Sequence, residues 1–171
     1  MNKSWSIWGN SIKNNAKQIF ECFDEKPVVL CLGTNKLLSD CLGPMVGSML
    51  KKYHYDGYVY GTLDAPVSAI NLKACLNFLK ATHKNSKILI VDASTTSNPS
   101  RIGKIVLANS YLPFNKTLYD LNVCADYFLF GVCSKHSPQF KSLYNAKLEI
   151  IEKLSKTICF ALLGKQKFKS F

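Results

Sequence analysis

Apolar residues in this chain form two kinds of pattern, which predict alternating strands and helices. Continuous apolar runs at residues 28–32 and 87–91 are typical of strands buried on both faces. After the first run, apolar positions recur every three or four residues, which predicts a helix. That helix should begin between Cys41 and Pro44, because proline is tolerated only in the first turn. Gly43 and Gly47 leave a second face of this helix bare, so we expect it to approach a sheet closely.

The remaining patterns predict one three-layer α/β/α sandwich with a largely parallel sheet, as a single domain over residues 1–171. Short alternating or apolar segments predict strands, and stripes at helical spacing predict helices. The expected strands are residues 58–63, 102–108 and 125–133. The strand at 87–91 ends in Asp92-Ala93-Ser94, and a loop follows to Arg101. The expected helices are a leading amphipathic helix at 5–23 (about 1–24), a helix at 69–79, and a long helix from Pro138 or Gln139 to about 163, before a basic tail at about 164–171.

The charge and cysteine content favour a cytoplasmic protein. The chain has 22 Lys and Arg against 11 Asp and Glu, but these charges are scattered, so solubility explains them better than a nucleic-acid partner. Seven cysteines without a C-x-x-C pair, mostly in apolar runs, indicate reduced buried thiols. The sequence contains no apolar run of membrane-spanning length and no apolar core of signal-peptide type, so we expect no membrane association.

Three aspartates lie at or just after the ends of predicted strands. Asp40 follows the loop after the first strand, Asp92 ends the third strand, and Asp64 ends the second. The carboxyl ends of parallel strands share one sheet edge, where open α/β sheets place their ligand sites. Two close carboxylates do not both ionise easily, so one could activate water while the other donates a proton. The structural alternatives are a helix-end cap for Asp40 and turn formation for Asp92 and Asp64.

Other chemistries receive less support from the sequence. Cys41 is a candidate soft metal ligand or nucleophile, but His54, His83 and His136 lie in unrelated contexts. The chain has no histidine spacing typical of a metal site, no Walker loop and no G-x-S-x-G elbow. We therefore predict neither a metal nor another cofactor.

Four segments resemble the family of the sporulation protein YyaC. They are GTNKLLSDCLGP at 33–44, YGTLDAPVSAINL at 60–72, ILIVDAS at 88–94 and NAKLEIIEKL at 145–154. The first two are the more specific, and the segment at 112–135 departs from the family pattern. The resemblance implies a fold similar to the germination protease and to hydrogenase maturation endopeptidases.

The resemblance also implies catalytic residues. In the germination protease two aspartates are held to carry catalysis, and their contexts match Asp40 in Asp-Cys-Leu-Gly-Pro and Asp92 in Val-Asp-Ala. In the hydrogenase endopeptidases a nickel-sensing Glu follows the first Asp, where this chain has Cys41. The resemblance therefore favours a metal-independent aspartate site.

The function predicted from these observations is a sporulation-associated peptidase that cleaves a protein or peptide through Asp40 and Asp92. The cytoplasm of a spore-forming cell, the forespore included, is its expected location. One alternative is a non-catalytic spore protein that uses the same fold as a binding scaffold. A nucleic-acid-binding protein is the least favoured alternative. Three further residues are predicted to shape the substrate pocket: Asn35, Asp64 and Ser94.

Overall fold

The computed structural model describes residues 26–108, 125–136 and 146–164, together with the backbone of residues 4–7. Six strands and three α-helices lie in these ranges. The strands are β1 (Ser4–Ile7), β2 (Val28–Cys31), β3 (Val59–Tyr60), β4 (Ile88–Thr96), β5 (Ile105–Ala108) and β6 (Tyr127–Lys135). The helices are α1 (Leu42–Lys52), α2 (Leu72–Thr82) and α3 (Leu148–Leu163).

All six strands belong to one sheet with the order β1-β5-β6-β4-β2-β3. The four strands β6, β4, β2 and β3 run parallel, whereas β5 and β1 add an antiparallel edge. Since β2, β4 and β6 are parallel neighbours, their carboxyl ends lie at one edge of the sheet.

Helices cover both faces of the sheet, which gives the predicted three-layer α/β architecture. On one face, α1 and α3 pack on the β2, β4 and β6 side chains Val29, Cys31, Leu89, Val91 and Leu129. On the other face, α2 packs on Val28, Leu30, Ile88, Ile90 and Phe128. The central strands are therefore buried on both faces, as their continuous apolar runs predict.

Two glycines bring the backbone of α1 onto the backbone of the sheet, as predicted. A Cβ atom at Gly43 would lie 2.0 Å from the carbonyl oxygen of Leu32, and one at Gly47 would lie 1.9 Å from that of Gly61. Any side chain at these positions would push the helix away from β2 and β3.

The beginning of the chain differs from prediction. Instead of starting a leading helix, residues 4–7 form β1, which pairs antiparallel with β5. The alternation of Ser4, Trp5, Ser6 and Ile7 has the two-residue period of a strand. Residues 8–23 of the predicted helix lie outside the described residues, as do residues 165–171 of the predicted basic tail.

Element boundaries also differ from prediction. The strand predicted at 58–63 is limited to Val59–Tyr60, because Gly61 has a positive φ of 86° that ends the extended backbone. The helix predicted from residue 69 begins at Leu72, and Ile70 stands 93% exposed in the turn before it. The final helix begins at Leu148, since Lys147 is extended, while residues 137–145 lie outside the described ranges.

The close contact between α1 and the sheet predicts the effect of enlarging Gly47. We expect Gly47→Ala to lower the free energy of unfolding by roughly 1–3 kcal/mol, because the new methyl group meets a backbone carbonyl that cannot rotate away. Urea denaturation followed by circular dichroism measures the change. Lys51→Ala, an exposed substitution on the same helix, is the matched control and should change stability by less than about 0.5 kcal/mol. Equal stability of Gly47→Ala and natural protein would contradict the contact.

Candidate functional site

Asp40 lies where the chain folds back onto the end of β2. It closes a short 3₁₀ helix, Leu38–Asp40, which contacts β4 and α3. The backbone N–H of Thr34 donates to the carbonyl oxygen of Asp40 at 3.0 Å, and a Cβ at Gly33 would lie 2.0 Å from that oxygen. Gly33 has a φ of 136°, so glycine is needed there for both conformation and space.

Asp92 lies within β4, one strand away from this turn. Cys31 pairs with Val91, and the N–H of Leu32 donates to the carbonyl oxygen of Val91 at 2.8 Å, so Asp92 lies beside Leu32. The N–H of Ala93 donates to Oδ1 of Asp92 at 2.7 Å. Since β4 continues to Thr96, Asp92 is a strand residue and not the turn former of the structural alternative.

Strand alternation indicates the face of the sheet from which Asp92 projects. Val91 and Ala93 pack on the face covered by α1 and α3, so strand alternation places Asp92 on the other face, with Ile90. Asp40 precedes α1, which lies on the first face. A helix cap does not account for Asp40 either, because α1 has Cys41 as its N-cap and no side-chain capping bond there.

Cys133 links the two carboxyl groups electrostatically. Burial raises the pKa of its thiol to about 12, a backbone hydrogen bond from Ser94 lowers it, and the charges of Asp92 and Asp40 both raise it. The thiol itself donates to the carbonyl oxygen of Gly131 at 3.2 Å. Both aspartates therefore lie within electrostatic reach of one buried sulfur atom.

Sequence reasoning placed Cys133 in an apolar run and gave it no role. Its position depends on the register of β4 and β6, in which Ser94 pairs with Val132 but Thr95 pairs with Ser134. The shift places Cys133 in a bulge on β6. No spacing in the sequence reports a bulge between strands that are more than thirty residues apart.

Burial governs the protonation of Asp40. It raises the pKa of this carboxyl from 3.8 to about 6, against a smaller lowering effect of a hydrogen bond from the Thr34 backbone. The sequence predicts a retained proton because of a second carboxylate nearby. The structure reaches the same protonation state by a different cause, since removal from water disfavours the charged form.

The neighbouring thiol of Cys41 also holds its proton. Burial raises its pKa, and the charge of Asp40 raises it further. A reactive cysteine requires the opposite environment, with positive charge nearby. The surroundings of Cys41 therefore oppose its role as a nucleophile.

The three residues predicted to shape a substrate pocket lie at the same sheet edge in two groups. Asn35 is exposed, and its Nδ2 donates to the carbonyl oxygen of Leu63 at 2.9 Å, which ties the loop after β2 to the loop after β3. Asp64, also exposed, is in that second loop. Ser94 is half-buried in β4, two residues beyond Asp92.

The histidines lie in separate environments, as the sequence indicated. Nε2 of His83 is 2.8 Å from the hydroxyl of Tyr60, and Nδ1 of His136 is 3.4 Å from Oγ1 of Thr95. Among the described residues, no three His, Cys, Asp or Glu side chains are grouped so that they could hold a metal ion. Within the same ranges, no helix has the length and apolar character needed to cross a membrane.

Comparisons with known proteins identify a family and a relative. A family model described as "Protein of unknown function (DUF1256)" matches residues 2–161. The uncharacterized protein YyaC of Bacillus subtilis strain 168 is 45% identical over 67 residues, which are 39% of this chain and 33% of that protein. The aligned part thus spans about a third of the length of YyaC.

A solved structure has a similar fold at low sequence identity. It is the [NiFe] hydrogenase maturation protease HycI from Thermococcus kodakarensis KOD1, with a TM-score of 0.54 and 15% identity. The alignment covers 86% of this chain and 99% of HycI. At this identity the likeness establishes the α/β fold alone.

The raised pKa of Asp40 predicts how its substitution changes stability with pH. A folded pKa of about 6 against 3.8 means that the proton stabilises the fold fully below pH 3.8, and that this contribution is lost as the pH rises through 6. Asp40→Asn cannot ionise, so its stability relative to natural protein should increase by about 1–3 kcal/mol between pH 4 and pH 7.5. Urea denaturation across this range measures the difference. The exposed Asp64→Asn is the control, and a pH-independent difference for Asp40→Asn would contradict the burial of this carboxyl.

The charge of Asp40 also predicts the reactivity of Cys41. In Asp40→Asn the pKa of this thiol should fall, so the midpoint of its alkylation by iodoacetamide should move to lower pH. Mass spectrometry of the peptide that contains Cys41 gives the rate at each pH. An unchanged rate at high pH would show that access to the sulfur is the same, and an unmoved midpoint would argue against the electrostatic contact.

Proposed function

We propose that this chain, which belongs to the family of proteins of unknown function DUF1256, is a peptidase that hydrolyses a peptide bond with Asp40 and Asp92. The observation that carries the proposal is a half-buried carboxyl group, Asp40, with a pKa of about 6 at the sheet edge that also holds Asp92. A carboxylic acid that keeps its proton close to neutral pH is suited to general acid catalysis.

The two aspartates take different roles in this mechanism because their environments differ. Burial raises the pKa of Asp40 to about 6, so below that pH it is mostly protonated and donates its proton to the leaving amine. Asp92 accepts a hydrogen bond from the N–H of Ala93, which suits its ionised form, and removes a proton from the attacking water. The water adds to the peptide carbonyl carbon, and the carbon–nitrogen bond then breaks as Asp40 protonates the nitrogen.

The position of the site supports a peptide as the substrate. Asp40 follows β2 and Asp92 lies in the neighbouring strand β4, so the scissile bond would lie at the sheet edge between them. The loops that contain Asn35 and Asp64 would flank it on the β2–β3 side, and Ser94 would lie beside it on β4. The fold shared with a protease, HycI, is consistent with this substrate class. A role in sporulation is part of the proposal and rests on the sequence resemblance alone.

A peptide-cleavage screen tests the proposal with four proteins. Natural protein, Asp40→Asn, Asp92→Asn and the control Glu149→Gln are incubated with a mixed peptide library, and products are identified by mass spectrometry. Glu149 is exposed in the first turn of α3, so its substitution removes the same charge away from the site. We expect each aspartate variant to lose about 100-fold or more in rate, whereas Glu149→Gln keeps its activity. Equal behaviour of all four proteins would contradict the peptidase and favour the binding scaffold.

The pH profile distinguishes the role of Asp40 from a merely structural one. Since Asp40 must be protonated to act as the acid, the rate for natural protein should fall as the pH rises above about 6. Initial rates at saturating and limiting peptide, measured between pH 4 and 9, give this limb. A rate that increases through pH 6 and stays high to pH 9 would assign proton donation to another group.

A further inference from the structure

A concave site lies at the opposite edge of the sheet from Asp40 and Asp92. It is a hollow of about 440 Å³ between the end of α2, the turn into β4 and the residues before β6. Ile88, the first residue of β4, lies in its wall, four residues and roughly 13 Å of extended chain before Asp92. The lining is rich in cations and hydrogen-bond donors: Lys80, His83, Lys84, Asn85, Ser86 and Lys87.

The positive charge of this hollow is not balanced by its own carboxylate. Asp126, the acidic residue of the lining, accepts hydrogen bonds from Nζ of Lys87 at 2.8 Å and from the N–H of Ile88 at 2.9 Å. Asp126 therefore neutralises Lys87. Among the residues that the structure describes, Lys80 and Lys84 have no acidic partner, so the hollow keeps an excess positive charge.

The dipole of α2 explains only part of this arrangement. Lys80 is in the last turn of the helix, where a cation is favoured by the helix carbonyl groups. Lys84 and Lys87 lie beyond the end of α2 and belong to the turn into β4, in which the N–H of Ser86 donates to the carbonyl oxygen of His83. The turn directs these residues into one concave region instead of leaving them spread over a convex surface.

Aromatic contacts hold the histidine of this site in place. His83 is only 8% exposed, its Nε2 is 2.8 Å from the Tyr60 hydroxyl, and its ring centroid is 4.5 Å from that of Tyr58. When the Tyr60 hydroxyl donates to Nε2, the neutral ring carries its proton on Nδ1 as a further donor. Tyr58 is 61% exposed and leaves much of its ring available at the rim.

We propose that this hollow binds a phosphate-bearing small molecule, with Lys80 and Lys84 as the main contacts to phosphate oxygens. Phosphate groups take charge-assisted hydrogen bonds from ammonium groups, and Asn85 and Ser86 supply neutral donors beside them. The volume is within the range of small-molecule sites. The site is separate from Asp40 and Asp92, so it stands or falls independently of the peptidase.

Isothermal titration with sodium tripolyphosphate tests this site directly. Natural protein should bind one equivalent, and the double variant Lys80→Ala/Lys84→Ala should bind at least about tenfold more weakly. The control Lys73→Ala/Lys153→Ala removes the same charge from exposed positions on α2 and α3, and it should stay within about twofold of natural protein. If both double variants lost affinity for tripolyphosphate equally, net charge would explain the loss and the proposal would be overturned. Absence of saturable binding to natural protein would also overturn it.

Two further measurements identify where the ligand binds and what it is. In the natural protein, tripolyphosphate should shift the ring resonances of His83, and binding without such a shift would place the ligand elsewhere and overturn the proposal. Titration with ATP then separates two sources of the phosphate group. Equal affinity for ATP and tripolyphosphate would show that the site recognises the phosphate groups alone. Tighter binding of ATP, lost in Tyr58→Ala, would show that it recognises a nucleotide. Both results support the phosphate site.

Discussion

The close approach of α1 to the sheet is the contact on which the candidate site depends. Gly43 and Gly47 place the helix backbone against the carbonyl groups of Leu32 and Gly61, with no room for a methyl group at either position. With α1 held this near, the chain between β2 and α1 must turn tightly, and it does so by packing the Asp40 carbonyl group against Gly33. The same contact that fixes the helix therefore fixes a carboxyl group at the carboxyl edge of β2, close to β4.

The protonation of Asp40 follows from that packing and not from repulsion between like charges. Burial removes this carboxyl group from water, and the loss of solvation raises its pKa to about 6. Asp92 lies within strand β4 and accepts a hydrogen bond from the N–H of Ala93, whereas burial outweighs the Thr34 hydrogen bond at Asp40. Two carboxyl groups in different environments can therefore act as acid and base without sharing a proton. In such sites the environment of each carboxyl group sets its pKa and so its role.

The sequence was informative wherever one local pattern dictated the structure. Continuous apolar runs predicted β2 and the core of β4, Pro44 limited the start of α1, and the bare glycines predicted its contact with the sheet. It was misleading where a pattern was short or where its partner lay far away along the chain. Four residues around Trp5 fit a helical stripe and a strand equally well, and pairing with β5 decides for the strand. Polar residues after Asp92 resemble a loop, yet pairing with β6 continues β4 to Thr96.

Asp40 and Cys41 show why the fold shared with HycI does not determine the chemistry at this edge. A metal ion binds deprotonated ligands, so it must displace the proton of each side chain that ligates it. Here burial favours the proton on both groups, and ionisation of Asp40 makes ionisation of Cys41 still less favourable. A metal bound by this pair would therefore have to displace protons from two groups whose pKa values are both raised. General acid catalysis, in contrast, makes direct use of the raised pKa of Asp40. The neutral thiol of Cys41 places no charge beside Asp40. Burial therefore remains the main cause of the raised pKa of Asp40.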